Sequence, residues 1–132
     1  MKILIAGGGQ TAVLVAKRLI KEGNEVVIVE KNSARCEYLE EVLDAQVVVG
    51  DAVSIRTLEE AGLQTAEMLI ALTSEDQINV IVCLVASIQS NIKVKLVRMR
   101  THEVGDWKNI FDRLGLDIDL IIHPETEIAD RI

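Results

Sequence analysis

The fold is decided by the stretch Met1-Lys-Ile-Leu-Ile-Ala-Gly-Gly-Gly-Gln-Thr-Ala12. A short apolar run breaks into three consecutive glycines and then into a helical pattern. A second apolar run ends on Glu30, eighteen residues after Ala12. This order is the dinucleotide-binding fingerprint in its required context: a strand, a glycine turn, a helix, a second strand and an acidic residue. We therefore expect a nucleotide site at the end of the first strand.

Each part of the fingerprint has a physical reason. Gly7 allows a tight turn, and Gly9 lets backbone N–H groups approach a pyrophosphate at the positive end of a helix dipole. Ala12 stands where a third glycine usually lies and is small enough for close helix–strand packing. Glu30 can accept hydrogen bonds from ribose hydroxyls, and it disfavours NADP because its carboxylate would face the 2′-phosphate. The alternative is a glycine turn that binds nothing.

Composition favours one α/β domain with an aliphatic core. Hydrophobic residues make up 49% of the 132 residues and aromatic residues 2%, which suits buried parallel strands. The formal charge of −7 argues against nucleic acid as a partner, because phosphate binding needs a basic surface.

Cys36 and Cys83 form no CxxC pair, so neither a metal site nor a disulfide framework is expected, and a reducing cytoplasm is the simple interpretation. We expect no signal peptide, because the first strand begins at Lys2 without a basic leader or a cleavage site. We expect no membrane insertion, because the longest apolar stretch, from Ile78 to Ile88, is too short to span a bilayer.

Strand-like and helix-like segments alternate along the chain. Six strands joined by helical crossovers predict a parallel sheet with helices on both faces, and the fingerprint selects the Rossmann-like, doubly wound order 3-2-1-4-5-6. A capping box over Ser74–Gln77 is expected to begin the fourth helix. Residues 1–132 are expected to be a single domain, and a helical pattern still in progress at the end indicates a fragment of a longer protein. The predicted strands cover residues 2–6, 25–30, 45–49, 68–72, 94–99 and 118–123, and the predicted helices 10–22, 33–43, 54–61, 74–90 and 105–114.

Ligands of open parallel sheets bind beyond the carboxyl ends of the strands, where the strand order reverses. The candidate cofactor-binding residues are therefore those that end each strand or follow it. They are Gly7, Gly8, Gly9, Gln10 and Thr11 after strand 1, Glu30 and Lys31 at strand 2, Asp51 and Ala52 after strand 3, Thr73, Ser74 and Asp76 after strand 4, and Arg98 and Arg100 at strand 5.

Several of these residues have two interpretations. Asp51 can accept a hydrogen bond from an adenine amino group, or it can cap a helix. Arg98 and Arg100 share one face of a strand by its period of two, so they can supply charge to phosphates or pair with a surface carboxylate such as Asp76 or Glu103. For Asp76, starting a helix is the alternative to binding. Asn79 is expected simply to begin that helix. Thr73 and Ser74 can reach ribose or phosphate, and the Ala52 N–H can donate to the adenine ring.

Catalysis is not expected. A dehydrogenase needs a proton relay beside the nicotinamide, usually His or a Tyr/Lys pair. Tyr38 has no Lys at i+4 and lies in the second helix, away from the strand ends. His102 and His123 are better explained as a solvated loop residue and a structural or interface residue, and no catalytic residues are assigned.

With these motifs placed, the chain resembles the nucleotide-binding domain of the regulatory subunits of Trk/Ktr potassium-uptake systems, also called the RCK or KTN domain. The resemblance covers essentially the whole chain. It is carried by the glycine-rich opening, Gly50-Asp51-Ala52, Thr73-x-x-Asp76-x-x-Asn79, Arg98-x-Arg100 and Ile121-Ile-His-Pro-Glu125.

The resemblance implies a cytoplasmic regulator that binds NAD(H), with ATP or ADP as alternative ligands. It implies assembly as a homodimer or higher ring, and control of an integral-membrane potassium-translocating subunit from the inner face of the cell membrane. It places Gly7, Gly9 and Gln10 at phosphates, Glu30 at ribose, Asp51 and Ala52 at adenine, and Arg98 and Arg100 at distal phosphates. Gln10 stands where some members have an arginine that reaches a neighbour's terminal phosphate, and Glu125 matches a position that holds a cation in some members.

Two other functions fit the same residues. One is the cofactor domain of an NAD-dependent dehydrogenase whose catalytic domain lies downstream. The other is a Rossmann-like domain that only mediates protein contacts.

Overall fold

The sequence forms eleven alternating elements in the computed structural model, which describes residues 1–100, 104–121 and Pro124. Each predicted element is present, with its ends within two residues of the prediction where those ends are described. The strands are β1 (Lys2–Ala6), β2 (Glu25–Glu30), β3 (Gln46–Val49), β4 (Met68–Ala71), β5 (Val94–Arg98) and β6 (Ile118–Ile121). The helices are α1 (Gln10–Lys21), α2 (Ser33–Val42), α3 (Ile55–Glu60), α4 (Asp76–Gln89) and α5 (Val104–Arg113).

All six strands pair in parallel in the order β3-β2-β1-β4-β5-β6, which confirms the predicted Rossmann-like sheet. The order reverses between β1 and β4. Ala6 at the end of β1 is in register with Val29 of β2 and with Ala71 of β4. These strands therefore end at nearly the same level, and the loops that follow them meet at one edge.

Two apolar layers cover the two faces of the sheet, because successive side chains of a strand point to opposite faces. On β1, Ile3 and Ile5 face a layer that includes residues of α1 and Leu39 of α2. Leu4 and Ala6 face the other layer, which contains residues of α3, α4 and α5. The aliphatic composition thus serves a core in which buried strands are sandwiched between helices. None of the described helices is both long and apolar enough to cross a membrane.

The predicted capping box at Ser74–Gln77 is wrong. Helix α4 begins at Asp76 with Glu75 as its N-cap residue, and no side chain caps it. The Thr73 Oγ1 atom instead accepts a hydrogen bond from the Glu75 N–H at 3.3 Å. The hydroxyl of Thr73 therefore shapes the turn between β4 and α4, one residue before the Ser74 that the sequence pattern indicated.

Candidate nucleotide-binding site

A cleft of about 530 Å³ lies at the carboxyl ends of β1 to β5. Thirteen of the fourteen predicted site residues line it, and Asp76 is the exception. Three acidic and three basic side chains are among the lining residues, so the cleft does not share the acidic balance of the chain. Gly50, which precedes Asp51 at the same strand end, also lines the cleft as its position predicts. Four further lining residues were not expected there, and these are Val29, Leu72, Glu75 and Ile78.

Gly7 makes the tight turn that the sequence predicts. Its φ is +101°, a conformation that side chains disfavour. A Cβ atom at this position would lie 2.8 Å from the Thr73 backbone nitrogen. The Gly7 N–H donates to the Val29 carbonyl at 2.8 Å. Gly7 therefore joins the ends of three strands rather than leaving its amide for a ligand.

Gly8 and Gly9 differ in what surrounds them. A Cβ atom on Gly8 would lie 2.5 Å from Cδ1 of Leu39, whereas a Cβ atom on Gly9 would meet nothing within 4 Å. The Gly8 N–H donates to Oε1 of Glu30 at 2.9 Å. Packing inside the protein therefore favours glycine at position 8, whereas Gly9 lines the cleft and has open space where a side chain would stand.

Helix α1 presents its positive end at this open space. Gly9 is its N-cap residue and Gln10 its first residue, and its first turn contains no acidic side chain. The first N–H groups of a helix have no intrahelical acceptor, and together with the helix dipole they form a binding site for anions. The N-terminus of α1 is therefore chemically suited to a diphosphate.

The carboxylate of Glu30 already holds two backbone amides. Its Oε1 atom accepts from Gly8, and its Oε2 atom accepts from the Asn32 N–H at 2.8 Å. Two carboxylate oxygens offer about four acceptor positions, so the group retains capacity for ribose hydroxyls. Glu30 thus connects the turn after β2 with the glycine loop, a role that the fingerprint alone does not reveal.

The two arginines at the end of β5 have different surroundings. Arg98 is 8% exposed, and its Nη2 atom donates to the carbonyls of Leu72 and Thr73 at 3.0 and 2.6 Å. Arg100 lies two residues beyond the end of β5 and has an exposed side chain. Both arginines line the cleft, but only Arg98 belongs to β5. Arg98 holds the end of β4, and Arg100 is the exposed cation of the two.

Asp76 lies outside the cleft and lines a neighbouring apolar cavity between α4 and α5. Its Oδ2 atom accepts from the backbone N–H of Arg100 at 3.0 Å. The carboxylate thus fixes the chain after β5, and the helix-start interpretation is the one that its position at the first residue of α4 supports.

Asn79 does more than begin a helix, and that expectation is wrong. It is completely buried. Its Oδ1 atom accepts from the N–H and the hydroxyl of Thr73 at 2.8 and 2.7 Å, and its Nδ2 atom donates to the carbonyls of Thr73 and Arg98 at 3.1 and 3.0 Å. One amide side chain therefore holds the ends of β4 and β5 under the cleft.

At the end of β3, Asp51 and Ala52 line the cleft. The Oδ1 atom of Asp51 accepts from the Val53 N–H at 3.1 Å, which closes a local turn. Ser54, not Asp51, is the N-cap of α3, and its hydroxyl accepts from the Thr57 N–H at 3.3 Å. Asp51 is therefore not the helix cap that was its alternative, and its contact with adenine stays a prediction.

Arg35 was not recognised from the sequence. Its Nε atom donates to the Gly8 carbonyl at 2.7 Å, and its guanidinium carbon lies 4.6 Å from the centre of the Tyr38 ring. Tyr38 accordingly packs against the arginine on α2. The available signal was a basic residue in the first turn of the helix that follows the acid.

The cysteines are structural in this fold. Burial, followed by the charges of Glu30 and Glu40, raises the pKa of the Cys36 thiol, and its Sγ donates to the Glu30 carbonyl at 3.2 Å. Burial also raises the pKa of Cys83. Within residues 1–100 and 104–121, no group of three or more His, Cys, Asp or Glu side chains could hold a metal ion. His102, Glu103, His123 and Glu125 lie outside the described residues.

A protein-family model described as the TrkA-N domain matches residues 3–124. The chain belongs to the TrkA-N family. One curated relative, the Trk system potassium uptake protein TrkA of Azorhizobium caulinodans, is 34% identical over 134 aligned residues. The alignment covers 100% of this chain and 29% of that relative, so the chain spans less than a third of the relative's length.

Solved structures share the fold of this TrkA-N domain. The TrkA-N domain of the inner membrane protein YbaL from Escherichia coli has a TM-score of 0.78 at 20% identity, and the alignment covers 98% of this chain and 92% of that one. A structure of the GsuK channel bound to NAD has a TM-score of 0.74 at 20% identity, with 91% of this chain and 21% of the channel chain covered. At this identity the likeness is one of fold.

Proposed function

We propose that this TrkA-N domain binds an adenine nucleotide with a diphosphate, NAD(H) or alternatively ATP or ADP, in the cleft at the ends of β1 to β5. The observation that carries the proposal is the free space at Gly9 in front of the N-terminus of α1. Glu30, on the neighbouring strand, supplies a carboxylate for the ribose. The NAD recorded with the GsuK channel, a protein of the same fold, supports the ligand class.

The binding proposal is tested by Gly9→Ala beside Gly105→Ala. A Cβ atom at either position meets nothing within 4 Å, and neither glycine has a positive φ. Both variants should therefore fold as the unchanged protein does. Only the methyl group at position 9 enters the cleft, where it would displace a phosphate from the helix N-terminus.

Calorimetry and thermal unfolding with NADH, ATP, ADP and AMP measure the outcome. A ligand at 100 times its dissociation constant adds about 2.7 kcal/mol to the unfolding free energy. Gly105→Ala should keep that gain, and Gly9→Ala should lose most of it with its own melting temperature unchanged. Equal binding by both variants would remove the proposed phosphate site. No response of the unchanged protein to any of these ligands would favour a domain that only mediates protein contacts.

We further propose that the bound nucleotide regulates a potassium-translocating membrane protein. The name of the Azorhizobium relative supports the connection with potassium uptake. A ligand shifts an equilibrium between two states only by its differential affinity for them. Ligands that share adenosine but differ at their phosphate end must therefore differ in the contacts of that end, and the exposed cation Arg100, which lines the cleft, is the residue we assign to it.

Regulation is tested in cells that carry the substitution in the full-length gene. Potassium uptake should lose its response to nucleotide with Gly9→Ala and retain it with Gly105→Ala, and the coupling of about 1–3 kcal/mol typical of allostery would change uptake several-fold. The membrane association, the homodimer or ring and the inner-face location belong to this proposal. Nucleotide-dependent oxidation of a substrate by the full-length protein, with no effect on potassium uptake, would instead support the dehydrogenase alternative.

A further inference from the structure

Both the N–H and the carbonyl of Gly8 are held by hydrogen bonds to side chains. Its N–H donates to Glu30 at 2.9 Å, and its carbonyl accepts from Nε of Arg35 at 2.7 Å. Because the glycine has no side chain of its own, these two bonds define how its peptide groups are turned.

The direction of the Gly8 carbonyl also fixes the direction of the next amide. In a planar trans peptide the C=O and the following N–H point in opposite directions, and the described chain contains no cis peptide. The carbonyl that bonds Arg35 on α2 therefore directs the Gly9 N–H away from α2. Gly9 lines the cleft, so an amide directed away from α2 is one that a diphosphate in the cleft could reach.

We infer that Arg35 is a positioning residue, which holds the Gly8–Gly9 peptide in the orientation that offers the Gly9 N–H to a diphosphate. The inference rests on the proposed function, since it names the device that prepares that site. A peptide between two glycines turns over readily, because neither neighbour has a Cβ that opposes the rotation. Without the guanidinium, the carbonyl would be free to face the cleft and repel phosphate oxygens.

The surroundings of Arg35 suit this task. Its own N–H donates to the Asn32 side chain at 2.8 Å at the start of α2, so the backbone of the arginine is anchored. Its guanidinium lies over the ring of Tyr38, and a planar guanidinium stacked on a ring loses little further freedom when it bonds a carbonyl. The helix, the ring and the arginine together act as a rigid support for the glycine loop.

The test compares Arg35→Met with Lys17→Met. Both remove one positive charge, but Lys17 is an exposed residue of α1 that does not line the cleft. In the ligand-free protein, the ¹⁵N-NMR signal of the Gly9 amide should shift or broaden with Arg35→Met and stay in place with Lys17→Met. A role limited to charge or to general stability would not move this signal selectively.

Calorimetry adds the functional measurement. Arg35→Met should lower the affinity for ADP by about tenfold, the effect of one charge-assisted hydrogen bond. It should change the affinity for adenosine by no more than about twofold. An unmoved Gly9 signal, or equal losses for ADP and adenosine, would overturn the inference. If Arg35→Met does not fold, Tyr38→Leu removes the ring under the guanidinium and should shift the same signal, and an unmoved signal in that variant overturns it as well. Should the unchanged protein bind neither ligand, the proposed function fails, whereas the ligand-free Gly9 signal still decides whether Arg35 orients the peptide.

Discussion

Glu30 and Gly8 are joined by a hydrogen bond of 2.9 Å from the glycine N–H to the carboxylate. This bond connects the acid at the end of β2 with the loop that follows β1. The acid that would hold the ribose and the loop that would hold the diphosphate are therefore one assembly before any ligand arrives. Preorganisation of this kind lowers the entropic cost of binding.

We expect Glu30→Gln to lower the affinities for NADH, ATP and AMP by a similar factor of about tenfold. All three ligands present the same ribose hydroxyls, which lose one charged acceptor. Unfolding free energy should fall by about 1 kcal/mol, since the Gly8 and Asn32 amides lose the same carboxylate. Calorimetry and urea unfolding measure the two effects. Glu25→Gln is the matched control, because it removes an equal charge from the exposed opposite end of the same strand.

The same variant also tests the selectivity of the site between NADH and NADPH. The neutral side chain should raise NADPH affinity relative to NADH, because a carboxylate no longer faces the 2′-phosphate. A variant that loses ATP but keeps AMP would contradict the assignment of Glu30 to the ribose.

Arg100 and Arg98 should separate binding from stability. Arg100→Met is expected to weaken ATP binding more than AMP binding, because the family resemblance assigns this exposed guanidinium to the distal phosphates, which AMP lacks. Arg98→Met should instead lower the unfolding free energy by about 2–3 kcal/mol, since the carbonyls of Leu72 and Thr73 at the end of β4 lose a charged donor. Isothermal titration and chemical unfolding measure the two quantities. Equal losses of ATP and AMP affinity with Arg100→Met would exclude the phosphate role.

The sequence was sufficient to predict the sheet and the position of the cleft. Apolar runs of β-branched residues, helix patterns between them and the glycines after β1 determine a parallel sheet with its reversal between β1 and β4. The ends of parallel strands must then lie together, so residues as distant in sequence as Gly9 and Arg100 were correctly expected at one cleft.

The direction of individual side chains could not be predicted in the same way. The period of two that paired Arg98 with Arg100 applies only within a strand, and β5 ends at Arg98. The role of Asn79 depends on β5 lying beside β4, which brings the Arg98 carbonyl within 3.0 Å of its amide. A polar residue beside an apolar helical run was the visible signal, and its partners are set by tertiary structure.

Asn79 should accordingly be a strong determinant of stability. We expect Asn79→Ala to lower the unfolding free energy by about 3 kcal/mol, because several buried groups at the ends of β4 and β5 lose their partner at once. Asn91→Ala, at an exposed position after α4, should change it by less than about 0.5 kcal/mol. Urea unfolding of the two variants provides the comparison. A loss at Asn79 no greater than that at Asn91 would show that the buried network contributes nothing.

The buried thiol of Cys83 should make the fold sensitive to alkaline pH. Burial raises its pKa above the ordinary value of 9.0, and the charge of Lys95 opposes this only in part. In the unfolded chain the thiol ionises near that ordinary value, whereas in the fold it stays protonated. The folded state therefore binds more protons above about pH 9, and the unfolding free energy falls there by up to about 1.4 kcal/mol for each pH unit. Below pH 8 neither state loses the proton, so this contribution is constant.

Urea unfolding between pH 7 and pH 10.5 tests this pH dependence with Cys83→Ala and Val82→Ala. Both residues are completely buried on α4, so each substitution removes apolar contacts and lowers stability at every pH. Only Cys83→Ala also removes a titrating group. Above pH 9, the unfolding free energy of this variant should therefore fall less steeply with pH than that of the unchanged protein, by a slope that corresponds to about one proton. The Val82→Ala curve should run parallel to that of the unchanged protein. Three parallel curves would mean that Cys83 ionises equally in the folded and unfolded chain, which its complete burial makes physically costly.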